Sequence, residues 1–217
     1  SAQPLVRFAV IGVNHGHIYG QVNAMLKAGA EVVSFFAPEP DLAAQFSKAY
    51  PGVPLARSQE EILDDDSIHL IVSAGIPSDR APLGIQAMQR GKDYMVDKPG
   101  FTTLAQLEEA RRVQAATGRI YSVCYSERFF TPSTVKAGEL AQAGAIGRVV
   151  QTVGLGPHHT RPDTRPAWFF QREHYGGILC DIGSHQVDQF LFFTGSTEAE
   201  VLAAQVANYR YPQYPEL

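Results

Sequence analysis

Short apolar runs alternate with amphipathic segments along the first half of the chain. The runs of strand length are Leu5–Ile11, Glu31–Phe36, Ile68–Ser73, Tyr94–Val96 and Ile120–Cys124. The helical patterns between them are Gly16–Ala28, Asp41–Tyr50, Glu60–Leu63, Ala81–Arg90 and Thr103–Ala116. Strands and helices alternating at this spacing form βαβ units with a parallel sheet and right-handed crossovers. The pattern therefore predicts an α/β fold, with a doubly wound, Rossmann-like domain over residues 1–124.

The rhythm changes after residue 125. A helix is predicted at Thr131–Ala143, and strand-like runs follow at Arg148–Leu155 and Glu200–Tyr209. Between those runs, Gly176–Gly195 (GGILCDIGSHQVDQFLFFTG) has a helical pattern with Gly195 as its C-terminal stop. These elements are too few to cover a sheet. Either the sequence is part of a longer chain or another chain covers the surface, and we favour truncation.

Composition narrows the class of protein. The formal charge of -4 and the pI near 6.0 give no footprint for nucleic-acid binding. We find no apolar run long enough to cross a bilayer. The cysteines, Cys124 and Cys180, lie far apart in apolar surroundings and are interpreted as buried thiols. We expect a cytoplasmic protein. The chain starts with Ser1, a cloning remnant or a processed end, so export with removal of a signal is the alternative.

A glycine directly after the first strand, followed by a helix, is where a dinucleotide pyrophosphate rests on backbone N–H groups. The usual fingerprint would place glycines at positions 12, 14 and 17, and the chain has Gly12, Asn14 and His17, with Gly16 shifted by one. Asparagine tolerates the left-handed conformation, so the turn can survive at Asn14. On its own, this loop fits a bare βα turn nearly as well as a phosphate cradle.

The end of the second strand leaves the cofactor open. The acidic residue that would bind the adenosine ribose is expected near Ala37, which carries no charge. Glu39, two residues on, is one substitute, and tolerance of a 2′-phosphate is the other possibility. The choice between NAD and NADP therefore stays open.

Asp181 and His185 are four residues apart, which on a helix places them on one face, about one turn apart. A carboxylate beside an imidazole orients the ring and raises its basicity, as a proton-transferring histidine needs. Taken alone, so short a motif is better explained by backbone capping. A metal site joining this pair to His158, His159 and His174 has no local ligand spacing in its favour, and we expect none.

Further motifs appear in a specific order. The loop Gly-x-Asn-His-Gly-His is followed by GKDYMVDKPG, by RFFTP at 128–132 and by YGGILCDIGSHQVDQFLFFTG. In this order and spacing, over about residues 5–210, the chain resembles the Gfo/Idh/MocA family of nicotinamide-dependent oxidoreductases. The Lys-Pro motif combined with the Gly-Gly and Asp-x-x-x-His element is the specific part of the resemblance.

The resemblance implies roles for individual residues. Lys98 matches the lysine of the family's Glu/Asp-Lys-Pro motif, which points at the reacting hydroxyl, and Asp181 and His185 match its acidic and imidazole pair, with histidine as proton acceptor. We expect NAD or NADP to be bound by Gly12, Asn14, His15, Gly16, Ala37, Ala74, Asp97 and Lys98. We expect substrate contacts from Lys98, His158, His159, Tyr175, Asp181 and His185, although Tyr175 would also fit a packing role.

The family also implies an arrangement and a function. Residues 125–217 would be part of a C-terminal α/β substrate and oligomerisation domain, whose open, mainly antiparallel sheet packs against another subunit of a homo-oligomer, a dimer or tetramer. Substrates would be sugars, cyclitols or their derivatives. Arg80 departs from the pattern, since it replaces a common histidine and adds a permanent charge near the cofactor edge.

The expected function is thus hydride transfer between a nicotinamide cofactor and a substrate hydroxyl, with no nucleic-acid or membrane partner. His185 would accept the hydroxyl proton and Lys98 would stabilise the developing alkoxide. Two alternatives stay open: an NAD-retaining glycosidase or lyase that works through transient oxidation, and a non-catalytic binding or regulatory protein on the same fold.

Overall fold

The structure is a computed structural model that describes residues 6–217, so Leu5, the first residue of the predicted first strand, lies outside the described residues. The chain divides into two compact units, Ser1–Cys124 and Tyr125–Leu217.

The first unit contains a parallel sheet. Its strands are β1 (Arg7–Ile11), β2 (Glu31–Phe36), β3 (Leu70–Ser73), β4 (Asp93–Asp97) and β5 (Tyr121–Cys124). Within residues 6–217 these five strands form one sheet in the order β2-β1-β3-β4-β5, and every neighbouring pair is parallel. The order reverses direction between β1 and β3, and ligands of open α/β sheets bind at such a switch point, beyond the carboxyl ends of the strands.

Helices connect the strands, as the apolar periodicity predicts. They are α1 (His17–Lys27), α2 (Pro40–Ala49), α3 (Gln59–Leu63), α4 (Pro77–Gln89) and α5 (Leu104–Thr117). The α5 ends are encoded locally, because the Thr103 side chain accepts from the Gln106 N–H and Gly118 adopts φ 67°. Helix α4 starts four residues before the predicted Ala81, because Pro77 occupies its first turn, where no N–H donor is needed.

Two hydrophobic clusters cover the two faces of the sheet. Phe8 and Val10 of β1 belong to one cluster, and Ala9 and Ile11 to the other. Successive residues of a strand point to opposite faces, so a strand buried on both sides needs a continuous apolar sequence. This explains why β1 shows no alternation.

The second unit is helical in the structure. Its helices are α6 (Ser126–Phe129), α7 (Pro132–Gln142), α8 (Arg172–Tyr175) and α9 (Ser184–Thr194), with 3₁₀ turns at Pro162–Thr164 and Ala167–Phe170 and a π-helical segment at Leu179–Gly183. Helix α9 ends at Gly195 in the left-handed conformation, φ 69°, which confirms the predicted stop.

The strands expected at Arg148–Leu155 and Glu200–Tyr209 are not paired in the described part of the chain, and this prediction was wrong. Their apolar side chains are exposed, Val150 at 80% and Leu202 at 87%. An alternating sequence forms a stable strand only when a neighbour pairs its backbone and covers its apolar face. Residues 125–217 therefore contain no open antiparallel sheet, and the described sheet lies entirely in the first unit.

The state of the cysteines and the length of the helices also bear on the expectations from composition. Cys124 and Cys180 are both free thiols, but only Cys124 is fully buried. No helix among residues 6–217 combines the length and the apolar character needed to span a membrane.

Candidate functional site

The loop between β1 and α1 is built around Gly12. This residue has φ 84°, and a Cβ added to it would lie 2.9 Å from the Gly75 Cα. The Gly12 carbonyl accepts from the Ala74 N–H at 3.1 Å, and the His15 N–H donates to the Ala74 carbonyl at 2.9 Å. Glycine is thus required here by conformation and by the close approach of the loop that follows β3.

Asn14 stands at the position of the second fingerprint glycine without adopting a left-handed conformation. Over residues 6–217 the positive-φ non-glycine residue is Arg161, so Asn14 is not left-handed, and Gly12 supplies the left-handed position of this turn. Its side-chain amide instead donates to Glu39 Oε1 at 2.8 Å. Gly16 is the N-cap of α1 with φ −62°, and the His17 N–H at this helix end donates to His15 Nδ1 at 3.2 Å. The positive end of a helix dipole beside a glycine turn still suits an anionic group.

Asp97 ends β4 and is the centre of an ion-pair network. Its side chain is 1% exposed, and Oδ1 accepts from His17 Nδ1 at 2.9 Å, while Oδ2 lies 3.4 Å from His15 Nδ1 and 3.5 Å from Arg80 Nη2. Burial by itself raises the pKa of Asp97, but the hydrogen bond from His17 and the charge of Arg80 outweigh it, so the pKa is below its usual value. Asp97 is therefore an ionised anchor.

His15 is the neutral member of this network. Burial lowers its pKa from 6.5 to about 4, and the charges of His17, Arg80 and Lys98 act in the same direction, with Asp97 opposing them. A neutral imidazole supplies hydrogen bonds but no positive charge for a phosphate.

His15, His17 and Asp97 also bring three potential metal-ligand atoms within 4.8 Å of one another. The Arg80 guanidinium beside the same carboxylate opposes a divalent cation. We therefore interpret the cluster as an ion-pair network.

Arg80 lies near the cofactor edge, as its sequence position had indicated, and lines a cavity there. It is 1% exposed, and Nε donates to the Gly75 carbonyl at 2.7 Å. Its Nη1 donates to the carbonyls of Asp97, Lys98 and Pro99 at 3.1, 2.8 and 3.2 Å. Arg80 thus holds in place the turn that carries Lys98, which is the role that the sequence did not reveal.

Lys98 directly follows β4 and is 5% exposed, so it is not a solvated loop lysine. Its peptide bond to Pro99 is cis. Ala37 and Ala74, predicted to contact the cofactor, follow β2 and β3 at the same edge of the sheet, and both side chains belong to one hydrophobic cluster. The fold thus gathers the predicted cofactor residues at the carboxyl edge.

In the second unit, His185 lies in the first turn of α9 and is 2% exposed. Asp181 belongs to the preceding π-helical segment, so the regular α-helical face expected for this pair does not apply. Glu127 Oε1 lies 3.8 Å from His185 Nε2 and 3.2 Å from His158 Nε2. The Tyr125 ring meets the imidazole edge to face, with centroids 5.9 Å apart.

Sequence reasoning missed Glu127, although it stands beside the RFFTP motif. The signal is the neighbouring Arg128, whose guanidinium pairs with both oxygens of Asp188 at 2.6 and 2.8 Å. This bidentate contact fastens α6 to α9 and so brings Glu127 to the histidine.

A separate cavity in this unit contains three predicted substrate residues. His158, His159 and Asp181 line it together with Arg165 and Phe169. Tyr175 is 1% exposed and packs on Phe169, and the pKa of its hydroxyl is raised to about 12 by burial first and by the Asp181 charge second. Tyr175 is therefore a packing residue in the structure, and within residues 6–217 neither it nor His185 lines this cavity.

The fold and the carboxyl-edge site define the class as a Rossmann-type nucleotide-binding protein. The sequence model of the oxidoreductase family with an NAD-binding Rossmann fold, Gfo/Idh/MocA, matches residues 6–125, and the model of the Gfo/Idh/MocA C-terminal domain matches residues 134–214. The chain belongs to the Gfo/Idh/MocA oxidoreductase family, as the motifs had predicted.

Individual proteins that resemble this chain are consistent with that family assignment. A crystal structure of a proposed oxidoreductase from Erwinia carotovora atroseptica SCRI1043 has a TM-score of 0.94 and 49% identity, covering 97% of this chain and 63% of that one. The uncharacterized oxidoreductase YdgJ of Escherichia coli (strain K12) is 30% identical, covering 67% of this chain and 42% of YdgJ. The NAD(+)-dependent scyllo-inositol 2-dehydrogenase of Bacillus subtilis (strain 168) is 27% identical, covering 88% and 54%. The chain spans about half the length of these two curated relatives.

Proposed function

We propose that the protein transfers a hydride between a nicotinamide dinucleotide and a hydroxyl group of a sugar, a cyclitol or a derivative of one. The observation that carries this proposal is the burial of Lys98, at 5% exposure, directly after Asp97 at the carboxyl edge of the sheet. A lysine side chain is rarely buried without a task, and this one follows the strand end where Rossmann proteins hold their cofactor.

The residues present fit a dinucleotide. Gly12 supplies a turn with no side chain in the way, directly before the N-terminus of α1. Asn14 and Glu39 line a cavity at the ends of β1 and β2. A bound nicotinamide ring would supply the hydride acceptor that amino-acid side chains lack.

The chain's own residues would handle the proton and the charge. His185 accepts the proton of the substrate hydroxyl. Glu127 orients the His185 imidazole, and Asp181 orients the π-helical segment that leads into α9. Lys98 stabilises the negative charge that develops on the oxygen, and Arg80 fixes the backbone that presents it. These roles are supported by burial and by the family's motif.

The proposed substrate class is supported by a relative and by the cavity of the second unit. One relative is a scyllo-inositol dehydrogenase, whose substrate is a carbon ring that carries hydroxyl groups. His158, His159 and Asp181 line a cavity whose polar groups suit hydroxyl contacts. The proposed domains are a dinucleotide-binding domain at 1–124 and a substrate and oligomerisation domain at 125–217.

The test is reduction of NAD or NADP in the presence of a panel of cyclitols and sugars, followed by absorbance of the reduced nicotinamide. Lys98→Met and His185→Asn should each lower kcat by about 100-fold or more, the scale of positioned acid–base and electrostatic catalysis. The matched control is Lys48→Met, an exposed lysine in α2, which should retain full activity. Full activity in both site variants would overturn the proposal.

Two other outcomes would support a different function for the protein. Turnover of a glycoside without net cofactor reduction, with hydrogen exchange at the oxidised carbon, would instead support the NAD-retaining glycosidase or lyase. Biological activity that survives both substitutions would support the non-catalytic alternative.

We further propose a homo-oligomer in the cytoplasm. The exposed apolar side chains of residues 148–155 and 200–209 support a surface that another copy covers, and the mass of the particle in solution tests this. The two free thiols support a reducing compartment, which cell fractionation tests.

A further inference from the structure

A cavity lies against the ends of the first two strands, beside the glycine turn. It is lined by residues of the loops after β1, β2 and β3 and of the first turn of α4, among them Gly12, Asn14, Glu39, Asp79 and Arg80. Its position is the switch point of the sheet, where an open α/β fold binds its ligand.

The Glu39 side chain in this cavity is held by Asn14. Its Oε1 accepts from Asn14 Nδ2 at 2.8 Å, whereas its Oε2 is buried and has no hydrogen-bond partner within residues 6–217. Glu39 is the N-cap of α2, yet in the described structure its side chain does not cap that helix. A buried carboxylate oxygen without a donor is costly, and a ligand that donates to it removes that cost.

We propose that Asn14 and Glu39 together form the adenosine-ribose site and make this protein selective for NAD(H) over NADP(H). The inference rests on the proposed function, since it assumes that a nicotinamide dinucleotide binds at this edge. It gives one explanation for two departures from the usual fingerprint, the asparagine at position 14 and the uncharged alanine at position 37. Asn14, in place of a glycine, supplies the amide that holds Glu39, and Glu39 supplies the carboxylate that Ala37 lacks.

The geometry favours a diol over a phosphate. The two ribose hydroxyls are donors that match a carboxylate with one free oxygen, whereas a 2′-phosphate brings a negative charge against the same group. Arg80 also lines the cavity, but it already donates to the carbonyls of Gly75 and Lys98 at 2.7 and 2.8 Å. Pro38 and Pro40 flank Glu39 and restrict its backbone, so the carboxylate is preorganised.

The experiment measures equilibrium dissociation constants of NADH and NADPH for the chain by calorimetry, with no turnover. The wild-type protein should bind NADH at least about tenfold more tightly than NADPH. Glu39→Gln should weaken NADH binding by about tenfold, the loss of a hydrogen bond to a charged acceptor, and should bring the two constants close together. Asn14→Ala should reduce the preference in the same direction, because Glu39 is then no longer held.

The matched control is Asp41→Asn, which removes the same charge from an exposed position in the first turn of α2 and should leave the preference unchanged. Asp79→Asn tests the rival carboxylate of the same cavity. If Asp79→Asn abolishes the preference while Glu39→Gln retains it, or if wild-type protein binds NADPH as tightly as NADH, the inference is overturned.

Two further measurements separate other failures. Wild-type protein that binds neither dinucleotide refutes the proposed function, and the inference with it. Should Glu39→Gln fail to fold, as judged by circular dichroism, competition on the wild-type protein decides instead. Adenosine 5′-diphosphate should then displace NADH at lower concentration than adenosine 2′,5′-bisphosphate, and the reverse order overturns the inference.

Discussion

The protonation state of single residues in this site depends more on their neighbours than on their residue type. Asp97 would be a costly charge at 1% exposure, yet His17 and Arg80 hold it ionised. His15, only two residues from His17, is kept neutral by burial. Two histidines of one loop therefore serve one carboxylate in different ways, which the sequence Asn-His-Gly-His does not distinguish.

The depressed pKa of His15 predicts a loss of stability in mild acid. Its pKa is about 4 in the folded protein against 6.5 unperturbed, so the unfolded chain binds more protons between these values. The contribution is complete above pH 6.5 and is lost as the pH falls towards 4, by about 2 kcal/mol after allowance for the partial exposure of His15. Urea unfolding at several pH values should show this fall.

The matched variants separate His15 from the other titrating groups. His15→Gln should flatten the fall in the free energy of unfolding, whereas His174→Gln, at a side chain 41% exposed, should leave it as in the wild type. An unchanged slope in His15→Gln would contradict the assignment.

At the scale of elements, α4 is fastened to the sheet by contacts that leave no room at one helix position. A Cβ added to Gly84 would overlap Tyr94 Cδ1 and would lie 2.5 Å from Tyr121 Cε2. Neither ring can easily move, because the Tyr94 hydroxyl donates to the Arg80 carbonyl at 2.8 Å and the Tyr121 hydroxyl to the Gly100 carbonyl at 2.7 Å. The same packing thus supports Arg80 and the turn that it holds.

Gly84→Ala should therefore destabilise the protein by about 3 kcal/mol through overpacking, as measured by chemical denaturation. The sign is diagnostic, because glycine to alanine inside an exposed helix stabilises by about 0.5–1 kcal/mol. Gln89→Ala, at an exposed position near the end of α4, should change stability by less than about 0.5 kcal/mol. A stabilised Gly84→Ala protein would show that α4 does not pack as described.

At the scale of the whole molecule, the two units differ in how completely they bury their apolar residues. Both hydrophobic clusters are drawn from residues of the first unit, on the two faces of its sheet. The second unit leaves Val153, Leu155 and Val201 at 75–82% exposure. Burial of apolar surface is the dominant stabilising contribution, so the units should differ in stability.

We predict that residues 1–124 fold alone and that residues 125–217 do not. The first fragment should unfold cooperatively on heating, followed by circular dichroism, and should retain NADH binding. The second should lack a cooperative transition or aggregate, because its apolar segments lack a covering partner. A non-cooperative first fragment would contradict the proposed domain boundary.

The sequence by itself determined the elements of the first unit and the family. Apolar runs, helix caps and glycine stops are local signals, so β1 to β5 and α1 to α5 lie within a few residues of their predicted bounds. The exception in the second unit has the same origin. The runs at 148–155 and 200–209 carry a strand pattern, but pairing is not local and no described neighbour supplies it.

Only the tertiary structure decided how the site residues are used. Arg80 reaches the carbonyls of residues 97–99, Glu127 reaches two histidines distant in sequence, and Asn14 reaches Glu39. These contacts join residues that chain order keeps far apart, and the pKa values of Asp97 and His15 follow from burial that exists only once the sheet has formed. Spacing along a chain specifies elements, whereas charge, burial and reach depend on what the fold brings together.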